Sequence, residues 1–410
     1  MWKRYWLFRA TDFQSLMYPC FTFCRILGIF PYKINASTFE ISKRYLILFT
    51  MVICACGIFD VLIIYESISE FNLLGITKTL EIVSYYACNG FVMIITHILS
   101  GPRMRLLQTI LKISSKLPPE SYQKLSILIH VKDIFGTIFL AVQMNIYYLR
   151  NDFFELNYKA ILVVIFTTYL TLLEFEINML YINCVCVLKA CFKRLNENVA
   201  YLQRLVIKPC VICHVQRNQF LLLTQLNILQ KQHLMISNAV QMLNLIFSLQ
   251  LHATIVMTFF DIIFEIYYYV VRWQNGLYFT FDMHFLDVFL ISITFYILKV
   301  TLITWACETG KNQAQKIGTT IHDVLNSTNN ELIKNKLQQF SLQILHCKNI
   351  FLTKGLTINA TLLTAMVGGI MTYMLILIQF LIASHSCDGT SITNNSSVLI
   401  LFRYRNLTQF

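Results

Sequence analysis

The run YLILFTMVICACGIFDVLIIY, residues 45–65, decides the fold class, because Asp60 is its single formal charge. As a helix rising about 1.5 Å per residue, a stretch of this length reaches about 31 Å, enough to cross a hydrocarbon layer about 30 Å thick. Six more such runs follow, over residues 79–99, 131–149, 158–188, 243–271, 285–305 and 359–382. The fourth and fifth are longer than a bilayer requires. At about 46 Å for the fourth, the excess predicts that both continue as helices into the cytoplasm.

Composition supports a lipid solvent. Hydrophobic residues make up 56% of the 410 and charged residues 13%, against about 45–50% and about 25% in a soluble domain. The 32 Phe and 21 Tyr suit a bundle whose rings pack in hydrocarbon and whose phenols reach interfacial water. The formal charge of +12 is not a nucleic-acid signature, since no basic stripe alternates with aromatics. The 13 Cys are scattered, many within apolar runs, and form no disulfide framework. The apolar stretch 16–32 is broken by Arg25 and Pro31, so no cleavable signal peptide is expected and the first span directs insertion.

Orientation follows from charge. The segment before the first span and the second, fourth and sixth connections hold 25 of the 33 Lys and Arg. The alternate segments share only Lys78, Arg150, Lys159, Arg272, Arg403 and Arg405. By the positive-inside rule the N-terminus is cytoplasmic and the C-terminus extracellular. That is opposite to a heptahelical G-protein-coupled receptor. The predicted organisation is all-α: a cytoplasmic N-terminal segment (1–44), transmembrane helices 1–4 (45–188), a cytoplasmic helical linker (189–242), helices 5–6 (243–305), a cytoplasmic amphipathic region (306–358), helix 7 (359–382) and an extracellular tail (383–410). Sequons at Asn394, Asn395 and Asn406 fall in that tail, while those at Asn35 and Asn326 are placed inside.

The long inner connections carry helical periodicity. Ile333, Leu337, Phe340, Ile344, Cys347 and Phe351 recur at alternating spacings of four and three, which predicts one helix over 331–354 with a single apolar seam. Residues 192–205 form another amphipathic stretch, and 215–245 reads as a helix feeding the fifth span. These helices pack within one chain, lie on the membrane or bridge subunits; a cytoplasmic helical bundle fits them best.

Cys210-Val211-Ile212-Cys213-His214 matches the covalent haem pattern, yet no second axial ligand or zinc-ligand set accompanies it. It reads as ordinary helix and turn, and neither cofactor nor metal is expected. His-Glu-x-x-His, a phosphate-binding glycine loop and Gly-x-Ser-x-Gly are all absent from the chain, and nothing points to an enzyme.

Ionisable and amide side chains inside spans carry more weight, since a mid-membrane carboxylate costs at least about 2.5 kcal/mol unless it meets water or a partner. Asp60, Glu81, Asp261, Glu265 and Asp287 fall toward the outer halves of their helices. With Tyr85, Asn89, Gln143, Asn145, Tyr267 and His284 they are candidates to line a polar cavity opening outward. Glu81, Glu265 and Asp287 are equally accounted for by reaching interfacial water. Glu174 and Glu176 are placed in the inner half of the fourth span, near the cytoplasmic bundle.

In the seventh span, Thr372, Ile376, Gln379 and Ala383 share one helical face, following Gly368-Gly369. From chemistry alone, interhelical hydrogen bonding is the commoner use of a membrane Gln, so helix packing outweighs pore lining here.

The segment Thr372-Tyr373-Met374-Leu375-Ile376-Leu377-Ile378-Gln379-Phe380 resembles the C-terminal signature of insect gustatory receptors: Thr-Tyr, five apolar residues, then Gln-Phe. The architecture of seven spans with an internal N-terminus is also similar to that family. The resemblance implies a plasma-membrane, ligand-gated, non-selective cation channel opened by a small-molecule tastant. It further implies a homo- or heterotetramer with a pore built by the last helix. Gln379 and Phe380 would then form or flank the gate, with Thr372, Tyr373 and Ile376 lower on the pore helix. It implies a ligand site among the outer parts of the first six spans, where Tyr85, Asn89, Gln143, Asn145, Asp261, Glu265 and Asp287 are the candidate contacts. Sugar-sensing members often carry Glu after Thr-Tyr, where this chain has Met374, and the tail after Phe380 is longer than the family's. An insect odorant receptor, a metabotropic seven-helix receptor and a transporter are the rival classes.

Overall fold

The protein is described by a computed structural model over residues 8–34, 38–69, 76–150, 158–207, 215–274, 283–353 and 355–387. Seven helices are long and apolar enough to cross a membrane: α2 (Lys43–Ser69), α3 (Ile76–Ile98), α5 (Pro119–Arg150), α6 (Tyr158–Ile207), α7 (Val215–Gln274), α8 (Met283–Ser327) and α10 (Ala360–Cys387). In lipid a spanning backbone must satisfy its own amides, and helices do so within one segment. Three shorter helices join them among the described residues: α1 (Phe13–Ile26), α4 (Ser100–Ser114) and α9 (Glu331–His346). Two antiparallel hairpins accompany them, β1 (Tyr32–Ile34) with β2 (Phe39–Ile41) and β3 (Leu352–Thr353) with β4 (Leu356–Thr357).

The fourth and fifth spans do extend. α6 has 50 residues and α7 has 60, or about 75 and 90 Å at helical rise. The stretch 192–205 is not a separate helix but the end of α6, and 215–245 is the start of α7. The sixth span, expected to end near Trp305, instead continues unbroken to Ser327. Charged residues dilute its hydropathy there, yet Ala306, Cys307, Ala314, Ile317, Ile321 and Val324 stay buried at helical spacing. The third span likewise begins at Pro119, well before Val131. α6 and α8 form the most extensive helix pair, and α9 packs its seam of Ile333, Leu337 and Phe340 on α8 and α7. Those contacts lie within one chain.

The helix expected over 331–354 stops at His346. Cys347 leaves helical geometry (φ −86°, ψ 76°), and the chain turns into β3. Phe351 keeps its buried place in the core from the hairpin, not from the helix. The hairpin is fixed to α7 by the Asn244 amide, which donates to the Ile350 carbonyl at 2.7 Å, and by the Thr353 hydroxyl, which donates to the Ser248 carbonyl at 2.5 Å.

The N-terminal segment holds a helix that hydropathy did not separate. Asp12 caps α1, accepting from the Ser15 amide at 2.8 Å while the Ser15 hydroxyl accepts from the Asp12 amide at 3.1 Å. Phe13, Leu16, Met17, Cys20, Phe21 and Cys24 bury one face against α4, α5 and α6. The helix closes at Gly28, whose φ of +81° favours glycine and whose added Cβ would lie 2.6 Å from the Phe49 ring. Near it, Arg103 is fully buried: its guanidinium donates to the Thr96 carbonyl and to Gln250 Oε1, both at 3.3 Å, and lies 5.4 Å from the Phe247 ring centre. Burial lowers the pKa of Arg103 and pushes the Tyr32 phenol up to about 12, so Tyr32 stays a neutral donor to the Ser100 carbonyl.

Candidate functional site

Four helices, α3, α6, α7 and α8, converge on a charged and phenolic cluster. Lys299 of α8 pairs with Glu174 of α6 at 3.1 Å, both side chains being almost fully buried. The Lys299 ammonium also lies 5.7 and 5.5 Å from the ring centres of Phe295 and Tyr296. Asp261 of α7 stands within electrostatic reach of Lys299, Glu174, Glu81 and Glu265. Glu265, one turn on, accepts a hydrogen bond from Ser292. Glu81 pairs with Lys78 at 2.8 Å, and Lys78 lies 5.5 Å from the Tyr268 ring centre. Four carboxylates thus share two ammonium groups, and neither Asp261 nor Glu265 has an ion pair among the described residues.

The sequence-derived candidates divide. Tyr85 belongs to the cluster: its hydroxyl meets Thr171 at 2.8 Å, and it stands near Glu174 and Asp261. Asn89, buried one turn along α3, donates to the Tyr85 carbonyl at 3.0 Å and to Met257 Sδ at 3.2 Å, tying α3 to α7. Gln143 is half-buried on α5, one turn beyond Phe139, whose ring stacks at 6.2 Å on Phe295 beside Lys299. Asn145 is exposed and donates to the Ala141 carbonyl of its own helix at 2.7 Å, away from the cluster. Asp287 is half-buried near the start of α8. Asp60 lies apart as well, buried against Gly90 with Oδ1 unpaired among the described residues.

Two residues outside the expected ligand set are central. Glu174, expected in the inner half of the fourth span near the cytoplasmic bundle, is the carboxylate that holds Lys299. Lys299 itself carried no signal beyond being a cation in an apolar run, and its partner lies 125 positions away.

On the far side of α7, Ile262 and Ile263 pack against Ile370 and Met374 of α10. Tyr373 sits edge-on to Phe259 at 5.8 Å, and Gly369 brings the two helices close enough that an added Cβ would lie 3.1 Å from the Phe259 ring. Leu362, Met366, Ile370 and Met374 make the buried line of α10. Opposite them runs an exposed line of Thr361, Thr364, Gly368, Thr372, Leu375 and Gln379, at spacings that keep one helical face. Ile376 and Tyr373 are exposed beside it. The Thr372 hydroxyl donates to the Gly368 carbonyl at 2.9 Å. Phe380 is within α10, but its side chain, like residues 388–410 of the predicted tail and Cys210 to His214, lies outside the described residues.

The 7tm Chemosensory receptor family matches residues 17–384 of this chain. A Drosophila melanogaster protein bearing the name gustatory receptor 28b is 30% identical over 154 residues, covering 36% of this chain and 32% of that protein. Gustatory receptor 23a of the same species is 31% identical over 90 residues, 22% of this chain and 24% of the relative. The aligned stretches therefore span about a third or less of these relatives. The insect olfactory receptor OR5 from Machilis hrabei, solved alone and in complex with eugenol, superimposes with TM-scores of 0.67 and 0.68. Each superposition covers 90% of this chain and 98% of OR5 at 11% identity, a likeness of fold. With seven spanning helices in that fold and the family match running through nearly all of them, the chain is a multi-pass plasma-membrane protein that belongs to the 7tm chemosensory receptor family.

Proposed function

We propose that this receptor is a gustatory, ligand-gated, non-selective cation channel whose subunits assemble as a homo- or heterotetramer, with α10 of each lining the pore. The observation that carries this reading is the exposed line of Thr361, Thr364, Thr372 and Gln379 on α10. The hydroxyls of Thr361, Thr364 and Thr372 donate to Asn359, to the Thr361 carbonyl and to the Gly368 carbonyl, but an outward-facing amide such as Gln379 finds no partner in lipid, whereas a water-filled axis hydrates it. Gln379 then offers its carbonyl oxygen to passing cations, with Phe380 beside it at the gate.

The charged cluster is the ligand site in this reading. A small polar or amphipathic tastant enters from the extracellular side among α3, α6, α7 and α8 and binds the open arrangement more tightly. α7 carries the signal, since Asp261 and Glu265 face the cluster while Phe259, Ile262 and Ile263 pack toward α10. Moving from 1% to 99% open requires a differential affinity worth about 5.5 kcal/mol. The basic connections place α1, α4 and α9 in the cytoplasm and Gln379 toward the outer leaflet.

Oocyte expression with a panel of sugars, alkaloids and amino acids tests the reading. Ligand-evoked unitary openings in excised patches without nucleotide are expected. Currents that survive only in intact cells identify a metabotropic receptor, and uptake without openings a transporter. An epitope tag at Met1 reached by antibody on unpermeabilised cells overturns the orientation.

A further inference from the structure

Where α1 lies against α6, Cys20 and Cys24 stand one turn apart on the buried face of α1, at 4% and 0% exposure, and Glu176 of α6 is 6% exposed. The two Sγ atoms are 3.9 Å apart, and one ligand atom from each of the three residues lies within 4.8 Å of the others. Thiolates held at about 2.3 Å from a tetrahedral zinc ion stand about 3.8 Å apart. The thiol pair therefore already spans one edge of such a site. Both cysteines are free. Glu176 has no hydrogen bond or ion pair among the described residues. The neighbouring acid is engaged elsewhere, since Asp133 pairs with Lys132 and accepts from the Asn183 amide at 2.9 Å.

We infer that Cys20, Cys24 and Glu176 form a binding site for one divalent metal ion of zinc's class, clasping the N-terminal helix to α6. Lys132 acts on Glu176 only at electrostatic range; a buried carboxylate with no hydrogen bond or ion pair is costly, and a dication supplies a direct partner. Two sulfurs and one oxygen suit a borderline-soft ion of zinc's class, whereas an all-oxygen set would favour magnesium or calcium. Binding releases the two thiol protons, and the fourth position is left to a water molecule. The metal would be structural, joining a segment that sequence hydropathy left outside the bundle to its longest-packed helix pair.

The test uses the full chain in detergent, stripped with a chelator and reloaded with cobalt(II). One cobalt per chain is expected, with thiolate-to-metal charge transfer in the near ultraviolet and the strong visible bands of a tetrahedral ion, both erased by zinc. In the Cys20→Ser/Cys24→Ser variant the charge-transfer band disappears. Glu176→Gln weakens cobalt binding by about tenfold or more. Cys54→Ser, on an exposed face of α2, changes neither. Absence of the bands in the unaltered protein, or their persistence in the double serine variant, overturns the site. Should the serine variants aggregate, the unaltered chain decides: chelation must lower its melting temperature and zinc restore it, and an unchanged melting temperature overturns the inference.

Discussion

α2 and α10 are both spanning helices with much of their surface uncovered, and they expose different chemistry. Between residues 45 and 65, α2 shows Tyr45, Ile47, Leu48, Met51, Val52, Ile58, Val61, Leu62 and Tyr65, while its polar Thr50 and Asp60 turn inward. Thr50 meets His97 of α3 at 3.1 Å, and Asp60 is buried at Gly90. α10 differs. It turns Leu362, Met366, Ile370 and Met374 inward and presents three threonines, Gly368 and Gln379 outward, interleaved with exposed Val367, Met371, Tyr373, Leu375 and Ile376. Exposure alone therefore says little about a membrane helix; the solvent is read from which residue types are exposed. α2 is dressed for lipid, whereas the polar line on α10 suits water or a neighbouring subunit.

A charge placed on each face should separate these solvents most sharply. Met51→Arg puts a cation at the lipid face of α2, at a cost of about 2.5–3.5 kcal/mol for insertion, and surface biotinylation should show most of the receptor lost from the plasma membrane. Thr372→Asp on α10 should reach the surface at near-normal levels and raise cation conductance, because its carboxylate faces water. Equal loss of both variants from the surface would mean that the two faces share one solvent.

Removing one charge from the cluster is the next largest perturbation. Asp261→Asn eliminates one of the two carboxylates that have no ion pair, and is expected to move half-activation by about tenfold, or about 1.4 kcal/mol. Unitary conductance and reversal potential should stay fixed, since Asp261 faces away from α10. Gln379→Ala is the complement: it should shift relative cation permeability at the pore by about 1 kcal/mol or less while surface delivery stays largely intact. Unchanged currents in Gln379→Ala would remove that residue from the permeation path.

The parts legible in the sequence are those set by local hydropathy. Seven runs stood out because each carries nearly all its apolar content in consecutive residues, and the excess length of the fourth and fifth announced their extensions. α8 past Trp305 was hidden because Glu308, Lys311 and Lys316 interrupt the hydropathy, although the helical period of Ala306, Cys307, Ala314, Ile317, Ile321 and Val324 persists. α1 is hidden in the same way, because Arg25 and Pro31 break the apolar stretch 16–32 that contains it. At the cluster, the acids and phenols were visible as polar residues in apolar helices, but which faces meet is a tertiary fact. Asn145 turns outward and Lys299 finds Glu174 for reasons that no spacing records. Arg103 shows the same limit: charge counting assigns it to a solvated connection, and packing buries it completely.

The smallest expected effect comes from adding one methyl group to each helix, and it discriminates between packed and open faces. On α2, an added Cβ at Gly57 meets nothing within 4 Å, and the same holds on the exposed line of α10 at Gly368. Alanine there changes no packing and gains helix propensity, up to about 1 kcal/mol. Gly369 differs: its Cβ would press on Phe259 at 3.1 and 3.3 Å, so the half-buried ring has to shift by a few tenths of an ångström. Because that ring also touches Tyr373, the shift is delivered to the contact between α7 and α10. Overpacking of about 1 kcal/mol roughly offsets the propensity gain in overall stability, leaving expression of Gly369→Ala near normal. The same strain bears on whichever of the closed and open arrangements holds the two helices closer. Half-activation is therefore expected to move by about two- to fivefold in Gly369→Ala, and by less than about twofold in Gly57→Ala and Gly368→Ala. Identical dose–response curves for all three would show that the α7–α10 contact is not where ligand and pore communicate.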